Sequence, residues 1–188
     1  MNFKIIALTG PKGSGKDTVA SMIAKRYQNV SVIAFADPIK KVINNLFDLD
    51  PSNNIQYDAF KRADLTYQLP GYLSHRVSAR EVVREIGMLM RSYDEKQFTE
   101  YVVSSIACKS NDIWVVSDLR FDNEYMVLRS LGAKIINIKR PNYEYDGHIT
   151  ERGFNDSLVD YTILNDGDLK YLDMRVESVV ENIIKEWE

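Results

Sequence analysis

Short apolar runs, too brief for helices, alternate along the chain with stretches of helical periodicity. Lys4–Thr9 (KIIALT), Val30–Ala36 (VSVIAFA), Ile113–Asp118 (IWVVSD), Lys134–Lys139 (KIINIK) and Tyr161–Leu164 (YTIL) predict strands. Most are nearly continuous in Val, Ile and Ala, the signature of parallel strands covered on both faces. Helices are predicted to begin near Gly15, Pro38, Ser78, Asp94, Asp122 and Asp168. Ser78 stands three residues before Glu81, a capping box; Asp122 reads as an N-cap, and Gly132 stands where a C-terminal glycine ends a helix. The alternation predicts an α/β fold, a parallel sheet of about five strands with helices on both faces. Asp48–Val77 and Pro141–Asp156 break the pattern and read as long polar loops, the kind that carries function.

Composition narrows the partners. The 188 residues suit one domain, and 45% hydrophobic with 27% charged residues is ordinary for a globular chain. A net charge of -3 supplies no field for nucleic acid or an anionic membrane, so neither is expected as a partner. No apolar run nears the ~20 residues of a membrane span. The N-terminal MNFKIIALTG reads as a first strand, not a signal peptide. A cytoplasmic, single-domain protein is expected, host-cytoplasmic if the chain is viral. The sole cysteine, Cys108, lies in VVSSIAC and is expected to be a small buried hydrophobe.

The first chemical signal is GPKGSGKDT, Gly10–Thr18, between a predicted strand and a predicted helix. That context marks a phosphate-binding loop: glycines let backbone N–H groups approach phosphates at a helix N-terminus, and Lys16 reaches the outer ones. Asp17 stands where a magnesium-binding Ser or Thr is usual, and Thr18 offers its hydroxyl one place later. A second signal is Ser78–Arg91, where Val82, Val83, Ile86, Leu89 and Met90 share one side. Arg80, Arg84, Gly87 and Arg91 share the other, at spacings of four, three and four. Planar guanidinium forks on one stripe suit a polyanion, and the same stripe also suits a solvated helix face. The third is IWVVSDLRFDNE: a buried strand ending in Asp118, able to orient magnesium, followed by Arg120 and Glu124. The pattern also fits a plain strand-to-turn junction.

GPKGSGKDTVA, FADPIK, SAREVVREIG, SDLRFDNE, IKRP followed by GHITERG, and ILNDGDLKYL occur in that order and cover most of the chain. Together they resemble the signature segments of bacteriophage deoxynucleoside monophosphate kinases. The Thr placed one residue late is also found in adenylate kinases. The resemblance implies the P-loop nucleoside monophosphate kinase fold in one domain spanning 1–188, with an acceptor-binding insertion at about 38–107 and a short lid at about 141–156. It implies ATP and Mg2+ as cofactors, small nucleotides as partners and a homodimer as a possible assembly. Gly13, Ser14, Gly15, Lys16, Asp17, Thr18 and Arg140 would hold ATP, with Asp17 and Asp118 meeting magnesium through water. Lys16, Arg80, Asp118 and Arg120 would be catalytic. Lys40, Arg62, Arg80, Arg84, Gly87, Phe98, Asp118, Arg120, Glu124 and Thr150 would surround the acceptor. Met88 departs from the family's usual Thr. A kinase of another phosphorylated metabolite, such as dephospho-coenzyme A, and a non-catalytic ATP sensor are the rival readings.

Overall fold

A computed structural model describes residues 3–50, 54–61, 64–67, 75–109, 113–141, 154 and 156–188. The chain divides into two compact units, one of Met1–Phe35 with Thr99–Glu188 and the other of Ala36–Phe98.

The first unit holds a five-stranded sheet in the order β2-β5-β1-β6-β7. Its strands are β1 (Ile5–Thr9), β2 (Val30–Ile33), β5 (Ile113–Val116), β6 (Lys134–Lys139) and β7 (Tyr161–Leu164). Every pairing is parallel. Parallel neighbours require crossovers, supplied by α1 (Lys16–Arg26), α6 (Asp122–Ser130) and the long path through the second unit, and α7 (Leu169–Glu186) closes the chain. Ile6, Leu8, Val115, Ile136 and Ile138 cluster with Val19 and Ile23 of α1 and Leu172, Val176, Val180 and Ile183 of α7. The alternate positions Ile5, Ala7, Trp114, Val116 and Ile135 point the other way and are also buried. This is the doubly covered α/β sheet that the continuous apolar runs predict.

The ends of the elements depart in places from the sequence expectation. β2 stops at Ile33, not Ala36, and Val32 is 46% exposed because β2 is an edge strand. Beyond it, the Phe35 N–H turns to donate to Asp118 Oδ1 at 2.7 Å. Asp122 is the first helical residue of α6, not its N-cap; Phe121 holds the cap position. Cys108, expected to be buried, is exposed, because the buried side of α5 (Gln97–Cys108) ends at Ile106.

The second unit contains α2 (Asp37–Leu46), α3 (Asn54–Lys61), the antiparallel hairpin of β3 (Asp64–Tyr67) and β4 (His75–Ser78), and α4 (Ala79–Tyr93). The segment read as a long loop, Asp48–Val77, thus carries a helix and a hairpin among its described residues. Asp94, expected to start a helix, instead caps the end of α4, its N–H donating to Met90 O at 3.2 Å. Its carboxylate accepts from Lys96 N–H at 2.9 Å, a turn interaction that delays α5 to Gln97. Much of the expected Pro141–Asp156 lid lies outside the described residues; its end forms a short 3-10 turn at Asp156–Leu158.

Candidate active site

Because all five strands are parallel, their C-terminal ends share one edge of the sheet, the place where open α/β sheets bind ligands. The loop from Gly10 to Gly15 leaves β1 there and enters α1. Gly10, Gly13 and Gly15 have φ of 134°, 74° and 106°, values that L side chains rarely adopt. Space is restricted as well as angle. A Cβ on Gly10 would lie 2.4 Å from Ile138 O, and one on Gly15 would lie 2.6 Å from Asn165 Nδ2.

The loop's carbonyls are gripped by side chains. Lys16, only 7% exposed, folds back to donate from Nζ to Gly10 O at 2.6 Å and Pro11 O at 2.7 Å. Arg140, just past β6, donates to Gly13 O at 3.3 Å. Asn165, just past β7, donates from Nδ2 to Ser14 O at 2.8 Å. Ser14 N–H bonds Pro11 O at 3.2 Å, and the Ser14 hydroxyl is buried beside Gly10. Ser14 is therefore built into the loop's interior. Asp17 is exposed in the first turn of α1, at the positive end of the helix dipole. Thr18 follows it, half-buried.

Asp118 comes to the same edge from β5. Ala7 is in register with Val116, and Leu119 N–H donates to Leu8 O at 3.1 Å, so Asp118 lies level with the last residue of β1. The bond from Phe35 N–H fixes its carboxylate in orientation. Arg120 is half-buried in the turn that follows. Glu124, expected beside an acceptor, is 1% exposed and accepts on Oε2 from the backbone N–H of Arg120 at 3.0 Å and Phe121 at 3.1 Å. A charge-assisted pair of this kind keeps a buried carboxylate hydrogen-bonded and shapes the turn that carries Arg120. In this arrangement Glu124 acts on the turn.

The second unit holds the other candidates. Ser78 and Glu81 form the expected capping box, and bonding to the Ser78 backbone N–H, then its hydroxyl, holds the Glu81 carboxyl below its ordinary range. On the apolar side of α4, Val82, Val83, Ile86 and Met90 are half-buried. Ala79 and Gly87 are buried, whereas Leu89 is 56% exposed. The physical reason is close helix approach: a Cβ on Gly87 would lie 2.8 Å from Ile39 Cδ1 of α2. Gly87, which the resemblance implies beside the acceptor, packs against α2 in this structure. Arg80 and Arg84 are half-buried on α4. Arg91 lies with its guanidinium 4.4 Å from the centroid of the Phe98 ring, and Phe98 is fully buried. Phe98 accordingly behaves as core here. Lys40 pairs with Asp37 one turn earlier at 2.9 Å. Arg62 and Thr150 lie outside the described residues.

The structure therefore brings Gly13, Ser14, Gly15, Lys16 and Arg140 into one loop assembly, with Asp118, Arg120 and Glu124 on the same sheet edge. Sequence reasoning overlooked Asn165. Its signal was a polar residue directly after a strand, in the ILNDGDLKYL segment.

The chain matches the deoxynucleotide monophosphate kinase family over residues 4–103 and 85–176. It is 26% identical to the deoxynucleotide monophosphate kinase of Enterobacteria phage T4 over 150 residues, 77% of this chain and 60% of that protein. It is 28% identical to a putative deoxynucleotide monophosphate kinase of Acanthamoeba polyphaga mimivirus over 155 residues, 76% of this chain and 77% of that protein. Among solved structures it aligns with the Mycobacterium tuberculosis APS kinase at 12% identity and a TM-score of 0.47, covering 98% of each chain. The fold assignment stands on the strand order and loop geometry above. No helix among the described residues is long and apolar enough to cross a membrane. With a matched region running from residue 4 to residue 176, this chain belongs to the deoxynucleotide monophosphate kinase family.

Proposed function

We propose that the protein transfers the γ-phosphoryl group of ATP to a deoxynucleoside monophosphate, giving the diphosphate and ADP. The single observation that carries this reading is the glycine loop, bent through positive φ at Gly10, Gly13 and Gly15 and closed by Lys16 at the start of α1. Such a loop presents backbone N–H groups and a helix N-terminus to phosphate oxygens. Family membership supports the choice of acceptor. The chain spans about 60% of the length of the phage T4 relative, so the whole protein's activity is part of the proposal.

Phosphoryl transfer asks the protein for in-line placement and for stabilisation of charge on the moving group. In the present geometry the Lys16 ammonium is held by two carbonyls of its own loop. An arriving β–γ phosphate would offer it oxygens of full negative charge, a stronger partner than a carbonyl. Gly13, Ser14, Gly15, Thr18 and Arg140 complete the ATP side. Magnesium fits the donor set at this edge: Asp118, oriented by Phe35 N–H, and Asp17 would meet it through water, and it would neutralise charge between the phosphates. Arg120 is assigned to the acceptor phosphate, with Glu124 fixing its turn. Arg80, Arg84, Lys40, Arg62 and Thr150 remain acceptor candidates by the family resemblance. Phe98 and Gly87 serve the acceptor indirectly, through the packing of Arg91 and α2. The attacking oxygen belongs to a phosphate monoester with a second pKa of about 6, already largely ionised at neutral pH, so no strong general base is needed.

The test is a coupled ADP-release assay with ATP and magnesium against dGMP, dTMP, dAMP, dCMP and the matching ribonucleotides. ADP formed only when a deoxynucleoside monophosphate is present is the expected result. ADP formed with none of them, but with another phosphorylated metabolite, would move the chain to a different acceptor class. For Arg120→Ala, kcat/KM for the acceptor should fall about 100-fold with the Kd for ATP unchanged.

A further inference from the structure

Among the described residues, three side chains grip the carbonyls of the phosphate loop, and one of them, Asn165, lies outside the glycine-loop motif. It follows β7, whose last residue Leu164 is in register with Lys139, and its own N–H donates to Lys139 O at 2.7 Å. That bond continues the sheet by one step and fixes where the side chain leaves the backbone. The Asn165 amide then reaches Ser14 O at 2.8 Å and occupies the space that a Cβ on Gly15 would fill.

The turn beneath it is pinned from α7. Arg175 donates to Leu164 O, and to Asp166 Oδ1 at 2.7 Å, while its guanidinium lies 4.3 Å from the centroid of the Tyr171 ring. Asp168 caps α7 by accepting from Tyr171 N–H at 2.8 Å. Asn165 therefore sits on a support with strand and helix on either side.

In a planar trans peptide the C=O of one residue and the N–H of the next point in opposite directions. Capturing Ser14 O consequently aims the Gly15 N–H away from Asn165. Gly15 is the N-cap of α1, where a backbone N–H has no partner within the helix and is of the kind that binds phosphate oxygens at helix N-termini. We propose that Asn165 is a positioning residue for the donor nucleotide: by holding the Ser14–Gly15 peptide in one orientation it presets the Gly15 N–H for a phosphate oxygen of ATP. This inference rests on the ATP-binding part of the proposed function. Gly15 is required there twice, by its φ of 106° and by the amide lying against it.

The experiment measures ATP and dGMP binding to the full-length protein by calorimetry, for the wild type, Asn165→Ala and Asn165→Asp, with melting temperature alongside. The alanine variant releases the peptide. The aspartate variant sets a carboxylate against the Ser14 carbonyl, two acceptors with no proton between them. ATP Kd is expected to rise about tenfold for the alanine variant and further for the aspartate variant. Binding of dGMP and the melting temperature should stay near wild type. ATP affinity equal to wild type in both variants would overturn the inference while leaving the kinase reading intact. Parallel loss of ATP binding, dGMP binding and thermal stability would make Asn165 a general structural residue and overturn it too. A wild type that binds no ATP would remove the kinase reading and this inference with it.

Discussion

The phosphate loop and helix α4 carry two of the patterns in this chain that suggest phosphate binding, and the structure treats them differently. In the loop, glycine is required by backbone angle and by a neighbouring backbone atom: Gly10 has φ 134° and Ile138 O lies where its Cβ would be. On α4, Gly87 has helical angles, and the atom in its way is the tip of Ile39, the far end of a flexible side chain. One glycine is fixed by covalent geometry and the other by packing that can give. The cations differ in the same sense. Lys16 is drawn to the carbonyls of the loop it serves, whereas Arg91 is engaged with the Phe98 ring.

The largest way to break this comparison is Lys16→Ala. It removes the ammonium and should lower kcat by on the order of 100–1,000-fold, with little change in melting temperature. Steady-state kinetics beside a thermal melt checks both halves. Near-normal turnover would mean that the loop does not serve the transferred phosphate.

Gly10→Ala comes next. The added methyl meets a backbone carbonyl that cannot swing aside, so a stability loss of about 2–3 kcal/mol is expected by denaturant titration. The matching change, Gly87→Ala, should stay within about 1 kcal/mol of wild type. The gain in helix propensity offsets the displacement of the Ile39 tip. Equal losses at the two sites would erase the distinction between them.

These two glycines also mark what the sequence could and could not reveal. The loop was legible because its chemistry is the backbone's: spacing of glycines after a strand fixes angles, and angles fix where N–H groups point. The parallel sheet was legible for a similar reason, since strands buried on both faces cannot afford polar positions. The face of α4 was not legible from its stripe. Helical periodicity places Arg80, Arg84 and Gly87 together but cannot say that the close partner is Ile39, because that depends on α2 packing across the sequence. Glu124, which the family resemblance implies beside the acceptor, turns onto the Arg120 and Phe121 N–H groups, a contact that only the fold shows. Asn165 went unassigned since its partner, Ser14, is 151 residues away.

The smallest expected effect concerns acid. Glu81, held below its ordinary value of 4.5 by Ser78, contributes to the start of α4 above that value and loses its contribution as pH falls through the lowered one. Hydrogen exchange followed from pH 6 to pH 3 should therefore report earlier opening at Ala79–Glu81 in the wild type, and Glu81→Gln should flatten that dependence.

The most direct test of the central claim is transfer of label from γ-phosphate-labelled ATP, with magnesium and a single deoxynucleoside monophosphate, in wild type and in Lys16→Ala. Label appearing in the deoxynucleoside diphosphate with the wild type, and absent with the variant, is the predicted result. Label released only as inorganic phosphate, or equal transfer by both proteins, would contradict it.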